Sequence, residues 1–349
     1  MMDTLDASAA VRAGAARTFP DLRFAGRALS VALLPALAAC ATTRTAPTSL
    51  EPQIVAHEEW EATPPLGHVA DATRRNLAPG DTLRFKDLTI TLLELALEPA
   101  GGEAASERGR AVLLLERPGE RSREVVRGGE AFNWGGFHIA VLAARAAPGQ
   151  LGSGLVEFEV GTLESLPPHI ADATIAGDAS YRLRVPHDID RITLHHSGSP
   201  EPLRPEDDPV EKLRGLQSWG ASARNWWDVP YHFLIDLDGT IYEGRDHRYM
   251  GETNTRYNPR GHLLITVIGN YNIQEATPAQ LEAIESLMAW AAVEFDVPLD
   301  RIYGHGDHAD TSCPGTHLGK YLEDGSLVEG VRERLRALGH TVPVTAVGR

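Results

Sequence analysis

Hydrophobic and polar positions change their spacing along this chain. From about Gly80 to Val160, short stretches such as TLRFKDLTITLLELAL alternate apolar with polar residues, and turn residues separate them, as in the Pro-Gly of GRAVLLLERPGE. A period of two puts successive side chains on opposite faces of a strand. The β-branched and aromatic residues of EAFNWGGFHIAVLAA and LVEFEVGTL suit a pleated surface. The pattern predicts a small all-β domain over residues 80–162, a sandwich or open barrel. His138 sits on one of these strands in FHI, where a histidine is ordinarily packed or solvated rather than a ligand.

From Ile192 strands are interspersed with helices. RITLHHS predicts a short strand ending at polar residues, and DDPVEKLRGLQSWG a helix capped by Asp208 with Pro209 at its first position. YHFLIDLDGTIYEG is two alternating runs around an Asp-Gly turn, a hairpin signal, and HLLITVIGN is apolar enough for a strand covered on both faces. TPAQLEAIESLMAWAAVEF predicts a helix whose capping box is Thr277 with Gln280. A last helix is expected after Ser326, with Glu329 completing a second box, and it stops at Gly339. The fold class is therefore α/β over residues 191–340, a mixed β-sheet flanked by helices. Residues 163–190, with Pro167, Pro168 and Pro186, read as a connector.

The start of the chain carries a different signal. Arg23 and Arg27 precede a small and apolar run from Ala28 to Ala39, which ends as LAAC at Cys40. That run is shorter than the ~20 residues needed to span a bilayer and fits the apolar part of a secretory signal peptide. LAAC resembles the lipobox of bacterial lipoproteins. The resemblance implies a leader over residues 1–39, lipid on Cys40 and a tether or linker over 40–79; the alternative is an ordinary signal peptide with an incidental cysteine. Ala41, where an aspartate would signal otherwise, implies the outer membrane, facing the periplasm. The formal charge of −15, with lysine only at Lys86, Lys212 and Lys320, excludes a nucleic-acid binder. It also offers nothing to anionic lipid, so membrane attachment falls to the lipid anchor.

With Cys40 carrying lipid, Cys313 is the one remaining cysteine, and no disulfide is available. It stands in GHGDHADTSCPG, eight residues after His305. Thiolate and imidazole together favour zinc. His195 or His196 supplies a third ligand; neighbours on a strand point apart, so both cannot face one metal. Three ligands leave a position open for chemistry, whereas a fourth from His308 or His232 would close the site as a structural one.

Four motifs, LHHS, VPYHFLIDLDGTIYEGRD, the strand ending IGNYN, and GHGDHADTSCPG, occur in that order between about Arg191 and Tyr321. The segment resembles the zinc-dependent N-acetylmuramoyl-L-alanine amidases of the phage-lysozyme and peptidoglycan-recognition-protein type. The resemblance implies a Zn2+ ion on His195, His305 and Cys313, with Tyr231 as the active-site tyrosine. Thr311 falls where members carry lysine or threonine. The chain departs from the family in GETNTRYN, where Thr253 lies near the place of a histidine in some members. The implied reaction is hydrolysis of the amide between N-acetylmuramic acid and L-alanine in peptidoglycan or muropeptides. Zinc would activate the water, Tyr231 or Thr311 would donate to the oxyanion, and the proton would return through Tyr231, with Asp307 or Asp310 in reserve. The alternatives are a receptor of the same fold that binds muropeptides without cutting, and a zinc-stabilised interaction domain. Cys313 favours the hydrolase, because non-catalytic members commonly lack that ligand. Trp219, Trp226 and Trp227 suit either a sugar-stacking surface or the core. His262 and His317 receive no role.

Overall fold

The C-terminal region is built on a six-stranded sheet in the order Ile54–Val55, Ile241–Glu243, Phe233–Ile235, His262–Val267, Arg191–His196, Ile302–Gly304. The hairpin pair around the Asp-Gly turn is antiparallel and the other pairings are parallel. In this computed structural model the described residues are 47–62, 67–96, 109–146 and 154–342, so the leader and Cys40 lie outside them. All six residues of His262–Val267 are buried, as a strand covered on both faces requires. One face packs Ile192, Leu194, Leu263, Ile265 and Val267 against the helices Pro278–Glu294 and Ser326–Ala337. On the other, Leu234 and Tyr242 cluster with Leu213 of the helix Pro209–Ala223.

The caps follow local chemistry. Asp208 accepts from the Val210 N–H at 2.8 Å, and Thr277 and Gln280 exchange the two bonds of a capping box. Ser326 differs from expectation. It is the first helical residue rather than the cap; the Asp324 carboxylate takes its N–H at 2.8 Å, and Glu329 pairs with Arg332 and Arg336 instead. Gly325 occupies the left-handed region at φ 77°, so the cap position has no side chain to offer.

The β region is a sandwich of two antiparallel four-stranded sheets. One runs Ala72–Leu77, Gly154–Thr162, Phe137–Ala146, Glu130–Trp134, and the other Thr82–Phe85, Leu88–Ala96, Arg110–Arg117, Glu120–Arg127. Leu77, Ile139, Val156 and Phe158 of the first meet Leu88, Ile90, Leu113 and Leu115 of the second in one core. His138 is fully buried against the Tyr181 hydroxyl at 3.3 Å, and burial lowers its pKa to about 4, so it is a packed neutral histidine as its strand position implied.

Two boundaries move. Within the stretch expected as a tether to residue 79, Ile54–Val55 forms an edge of the six-stranded sheet, and Ala72–Leu77 belongs to the sandwich. Too short to show periodicity, Ile54–Val55 takes its structure from the Ile241–Tyr242 backbone and from Trp60, whose indole donates to the Glu243 carbonyl at 2.6 Å. The connector is a packed bridge. Its helix Pro168–Ile175 and residues Tyr181, Leu183 and Val185 share a small core with Ala72 and Ala140 of the sandwich and with Met250.

Sandwich and mixed sheet lie in one compact unit and meet through buried charge. Arg74 lies opposite Glu159 in the strand register and donates to it at 2.6 Å; its other arm pairs with Glu252. Arg245 also reaches Glu252, at 3.1 Å, and donates to the carbonyls of Asp228, Val229 and Met250. Alternation sends Arg74 and Asn76 away from the sandwich core and towards residues 252–255.

Removing one member of a buried ion pair strands the other, at a cost of about 3–5 kcal/mol. Arg74→Met is expected to lower stability in urea by that amount, whereas Lys86→Ala, which breaks the exposed pair with Asp71, is expected to cost under ~1 kcal/mol. Equal midpoint shifts for the two variants would show that the buried network carries no special weight.

Candidate metal centre

The strand Arg191–His196 settles which histidine faces the cleft. Ile192 and Leu194 point into the core beneath the helices, so Thr193 and His195 point to the opposite face. His196 is turned away, its Nδ1 accepting from the Tyr271 N–H at 3.1 Å. The late motif leaves the strand Ile302–Gly304 in a tight turn, and the Gly306 N–H to Cys313 carbonyl bond of 2.9 Å closes the loop between His305 and Cys313. Gly315 pins its far end. At φ 93°, a Cβ there would lie 2.4 Å from the backbone of Tyr271.

Loop and strand bring together His195, His305 and Cys313, all buried, with one donor atom from each within 4.8 Å of the others. The Cys313 sulfur lies 3.6 Å from His195 Nδ1. Two ligands at bonds of ~2.3 and ~2.0 Å on a tetrahedral ion stand about 3.5 Å apart, so this edge has the dimensions of a zinc site. Burial lowers His195 and holds His305 at about 4, keeping both imidazoles in the neutral form that ligates. The same burial pushes the Cys313 thiol up to about 12, with only the His196 N–H, 3.3 Å away, favouring the thiolate. A donor set of two neutral imidazoles and a buried sulfur with no cation beside it fits zinc.

The segment 251–258, where periodicity is silent, holds both imidazoles from behind. Thr255 Oγ1 lies 2.7 Å from His305 Nε2 and 2.8 Å from Thr253 Oγ1. With its proton on Nε2, His305 donates to Thr255, Thr255 donates to Thr253, and the Nδ1 lone pair stays free for a cation. The Tyr257 hydroxyl sits 3.4 Å from His195 Nε2, on the side away from Cys313. Sequence reasoning passed over Thr255 and Tyr257, because a polar stretch without a pattern gives no sign of what it will touch. The sandwich anchors this segment. Asn76 Nδ2 donates to the carbonyls of both Thr253 and Thr255 at 2.8 Å, and Arg256 pairs with Asp81.

Tyr231 and Thr311 line the same cleft of about 210 Å3 as the three candidate ligands. The Tyr231 ring lies 5.3 Å from that of His195, and burial, then the neighbouring Cys313, pushes its hydroxyl well up, so it keeps its proton. Thr311 Oγ1 accepts the Cys313 N–H at 3.3 Å. Asp307 is committed to the Gly304 N–H at 2.8 Å, the turn role common in such loops. The histidines that would have closed a four-ligand site lie elsewhere. His232 accepts the Leu264 N–H and donates to the Tyr249 carbonyl, while His308 stacks on Tyr257. His262 packs beneath Tyr257 with Nδ1 2.7 Å from Thr193 Oγ1, and His317 is a surface partner of Glu275. Trp226 and Trp227 are buried and Trp219 is exposed, beneath the Arg224 guanidinium. Of the three, Trp226 lines the cleft.

Residues 185–316 match the family model described as N-acetylmuramoyl-L-alanine amidase. The chain is 34% identical over 110 residues to peptidoglycan-recognition protein SC2 of Drosophila simulans, an alignment covering 31% of this chain and 59% of that protein. It is 34% identical over 128 residues to peptidoglycan-recognition protein SC1a of Drosophila melanogaster, covering 36% and 68%. Among solved structures, peptidoglycan recognition protein 1 of Manduca sexta aligns at 29% identity over 39% of this chain and 77% of that one, with a TM-score of 0.35. The chain therefore spans 59% of the SC2 relative's length, and the matched model begins after the sandwich.

Asn76→Ala leaves two carbonyls without their donor, which is expected to cost about 1–3 kcal/mol and to speed amide exchange across residues 252–258. Hydrogen exchange read by mass spectrometry checks this. Unaltered protection there would show that the sandwich does not hold the segment.

Proposed function

Because the chain belongs to the N-acetylmuramoyl-L-alanine amidase family, which includes the peptidoglycan-recognition proteins, we propose that it hydrolyses the amide between N-acetylmuramic acid and L-alanine, in peptidoglycan or its fragments. The proposal includes one zinc ion held by His195, His305 and Cys313. The observation that carries it is Cys313, buried and 3.6 Å from His195 Nδ1 on a cleft that also holds a protonated tyrosine. When bound, zinc supplies a Lewis acid and lowers the pKa of water towards ~7.

The chain's own groups supply the rest. Thr255 and Tyr257 fix the two imidazoles, which removes the reorganisation that loose ligands would need. Tyr231 donates a hydrogen bond to the carbonyl oxygen as negative charge develops there, and burial keeps its hydroxyl protonated. Thr311 accepts from Cys313, so its own proton is free to point into the cleft as a second donor. Asp307 is occupied and Asp310 has a partner, so the proton lost by the attacking water reaches the leaving amine through Tyr231, whose hydroxyl takes up one proton as it passes on another. Export and attachment by lipid on Cys40 at the outer membrane belong to the same proposal, and rest on the LAAC sequence alone.

Three outcomes are expected from digestion of purified peptidoglycan, with products identified by mass. The protein carrying one zinc releases stem peptides; Cys313→Ala or chelation abolishes release; Tyr231→Phe lowers kcat about 10²–10³-fold, the cost of one oxyanion donor. Binding of muropeptides without release by zinc-loaded protein would identify a receptor and sink the hydrolase reading. In a bacterial host, labelled palmitate should enter the full chain and not Cys40→Ala, and absence of label from both would remove the anchor.

A further inference from the structure

The chain joins the edge of the six-stranded sheet through a short strap, residues 54–61, whose single helical turn opens with His57. The imidazole is wedged between two segments of the chain. Its Nδ1 lies 3.0 Å from Glu61 Oε2 on the strap, and its Nε2 lies 3.0 Å from Asp228 Oδ2, in the segment that leads to Tyr231. Both oxygens are buried, and neither has another partner among the described residues. The second Asp228 oxygen, 3.3 Å from Nε2, is already supplied by the Val229 N–H at 2.8 Å and by Gln217 Nε2 at 3.0 Å. Glu243 faces the histidine from the neighbouring strand and takes its backbone N–H at 3.3 Å. Two arginines bond the flanking backbone instead: Arg214 donates to the Trp60 carbonyl, and Arg245 to the carbonyls of Asp228 and Val229.

A neutral imidazole has one N–H and one lone pair, so it would satisfy one of the two buried oxygens and turn its lone pair on the other. Two donors are required, and only the imidazolium has them. Burial works against that charge, but Asp228, Glu61 and Glu243 together outweigh it and raise the histidine's pKa above its ordinary value. We infer that His57 is a latch, closed as the imidazolium, that clamps the strap onto the segment carrying Tyr231. A group whose pKa is raised on folding contributes its full stability below the unfolded value of ~6.5 and loses it as pH rises through the folded value. The strap therefore loosens on the alkaline side. Its other main holds are Trp60, buried in an apolar cluster, and the two-residue pairing of Ile54–Val55, so it opens without unfolding the sheet beneath it. Opening adds up to about 3.3–3.6 Å per freed residue to the link between the body and the start of the chain. His57 precedes the family match at 185–316, and the latch stands whether the cleft hydrolyses an amide or only binds one.

Titration of the ring nitrogens by nuclear magnetic resonance should place the His57 midpoint above the ~6.5 of a free histidine, and Glu61→Gln, which removes one facing charge, should lower it. Hydrogen exchange read by mass spectrometry between about pH 6 and 9, with the intrinsic pH dependence of amide exchange divided out, follows the strap itself. Protection of residues 54–61, relative to the buried strand His262–Val267, should fall about tenfold or more over that range in the native protein, the scale of one charge-assisted hydrogen bond. In His57→Gln it should start low and stay level. A midpoint at or below ~6.5, native strap protection that ignores pH, or an equal fall in His57→Gln overturns the latch. Should His57→Gln not fold, Glu61→Gln decides: its fall in protection must move to lower pH together with the midpoint, and a fall that stays in place also overturns the latch.

Discussion

Arg74 and Glu252 meet where neither can be solvated by water, and much of the molecule is arranged to make that meeting tolerable. Glu159 opposes Arg74 across the strand pair, Arg245 supports Glu252 from the other side, and Arg245 spends its remaining N–H groups on three carbonyls. A buried pair of this kind adds little net stability over an apolar substitute, but it is intolerant of separation. Its consequence is geometric: the sandwich cannot shift against the mixed sheet without exposing or orphaning a charge. The segment that begins at Glu252 is thereby held in place, and with it Thr255 and Tyr257.

That constraint makes the sandwich part of the candidate centre rather than an appended module. Asn76 donates to the Thr253 and Thr255 carbonyls, and the hydroxyl of that same Thr255 is hydrogen-bonded to His305. Zinc ligands ordinarily need such support behind them, because an imidazole free to rotate loses both its tautomer and its aim. Here part of that support comes from outside the region that matches the amidase family, which begins at residue 185.

The candidate ligands were legible because their signals are local or paired. A histidine and a cysteine eight residues apart already suggest a metal, and strand alternation keeps His195 and His196 from facing the same ion without any structure. The caps at Asp208 and Thr277 were legible for the same reason, since donor and acceptor are three residues apart or fewer. The cap expected at Ser326 failed because the helix begins one residue earlier: the Glu329 N–H bonds the Gly325 carbonyl, and Ser326 gives its own N–H to Asp324. Ile54–Val55 was invisible as a strand: two residues have no period, and what makes them a strand is an open sheet edge about 190 residues away in sequence.

By itself the sequence determined the order of elements, the division into an alternating region and a mixed one, and the histidines and cysteine able to bind a metal, because these depend on local spacing and side-chain chemistry; the choice of His195 and of Tyr231 came from the resemblance that the four ordered motifs carry. Tertiary structure alone decided that His232 and His308 lie outside the cluster of His195, His305 and Cys313, that Thr255 and Tyr257 of GETNTRYN contact its imidazoles, and that the sandwich locks onto that segment through Arg74 and Asn76. Those outcomes hang on desolvation and on contacts between distant segments. A side chain's cost or use is fixed by what surrounds it once water is gone, and no window of sequence contains that information.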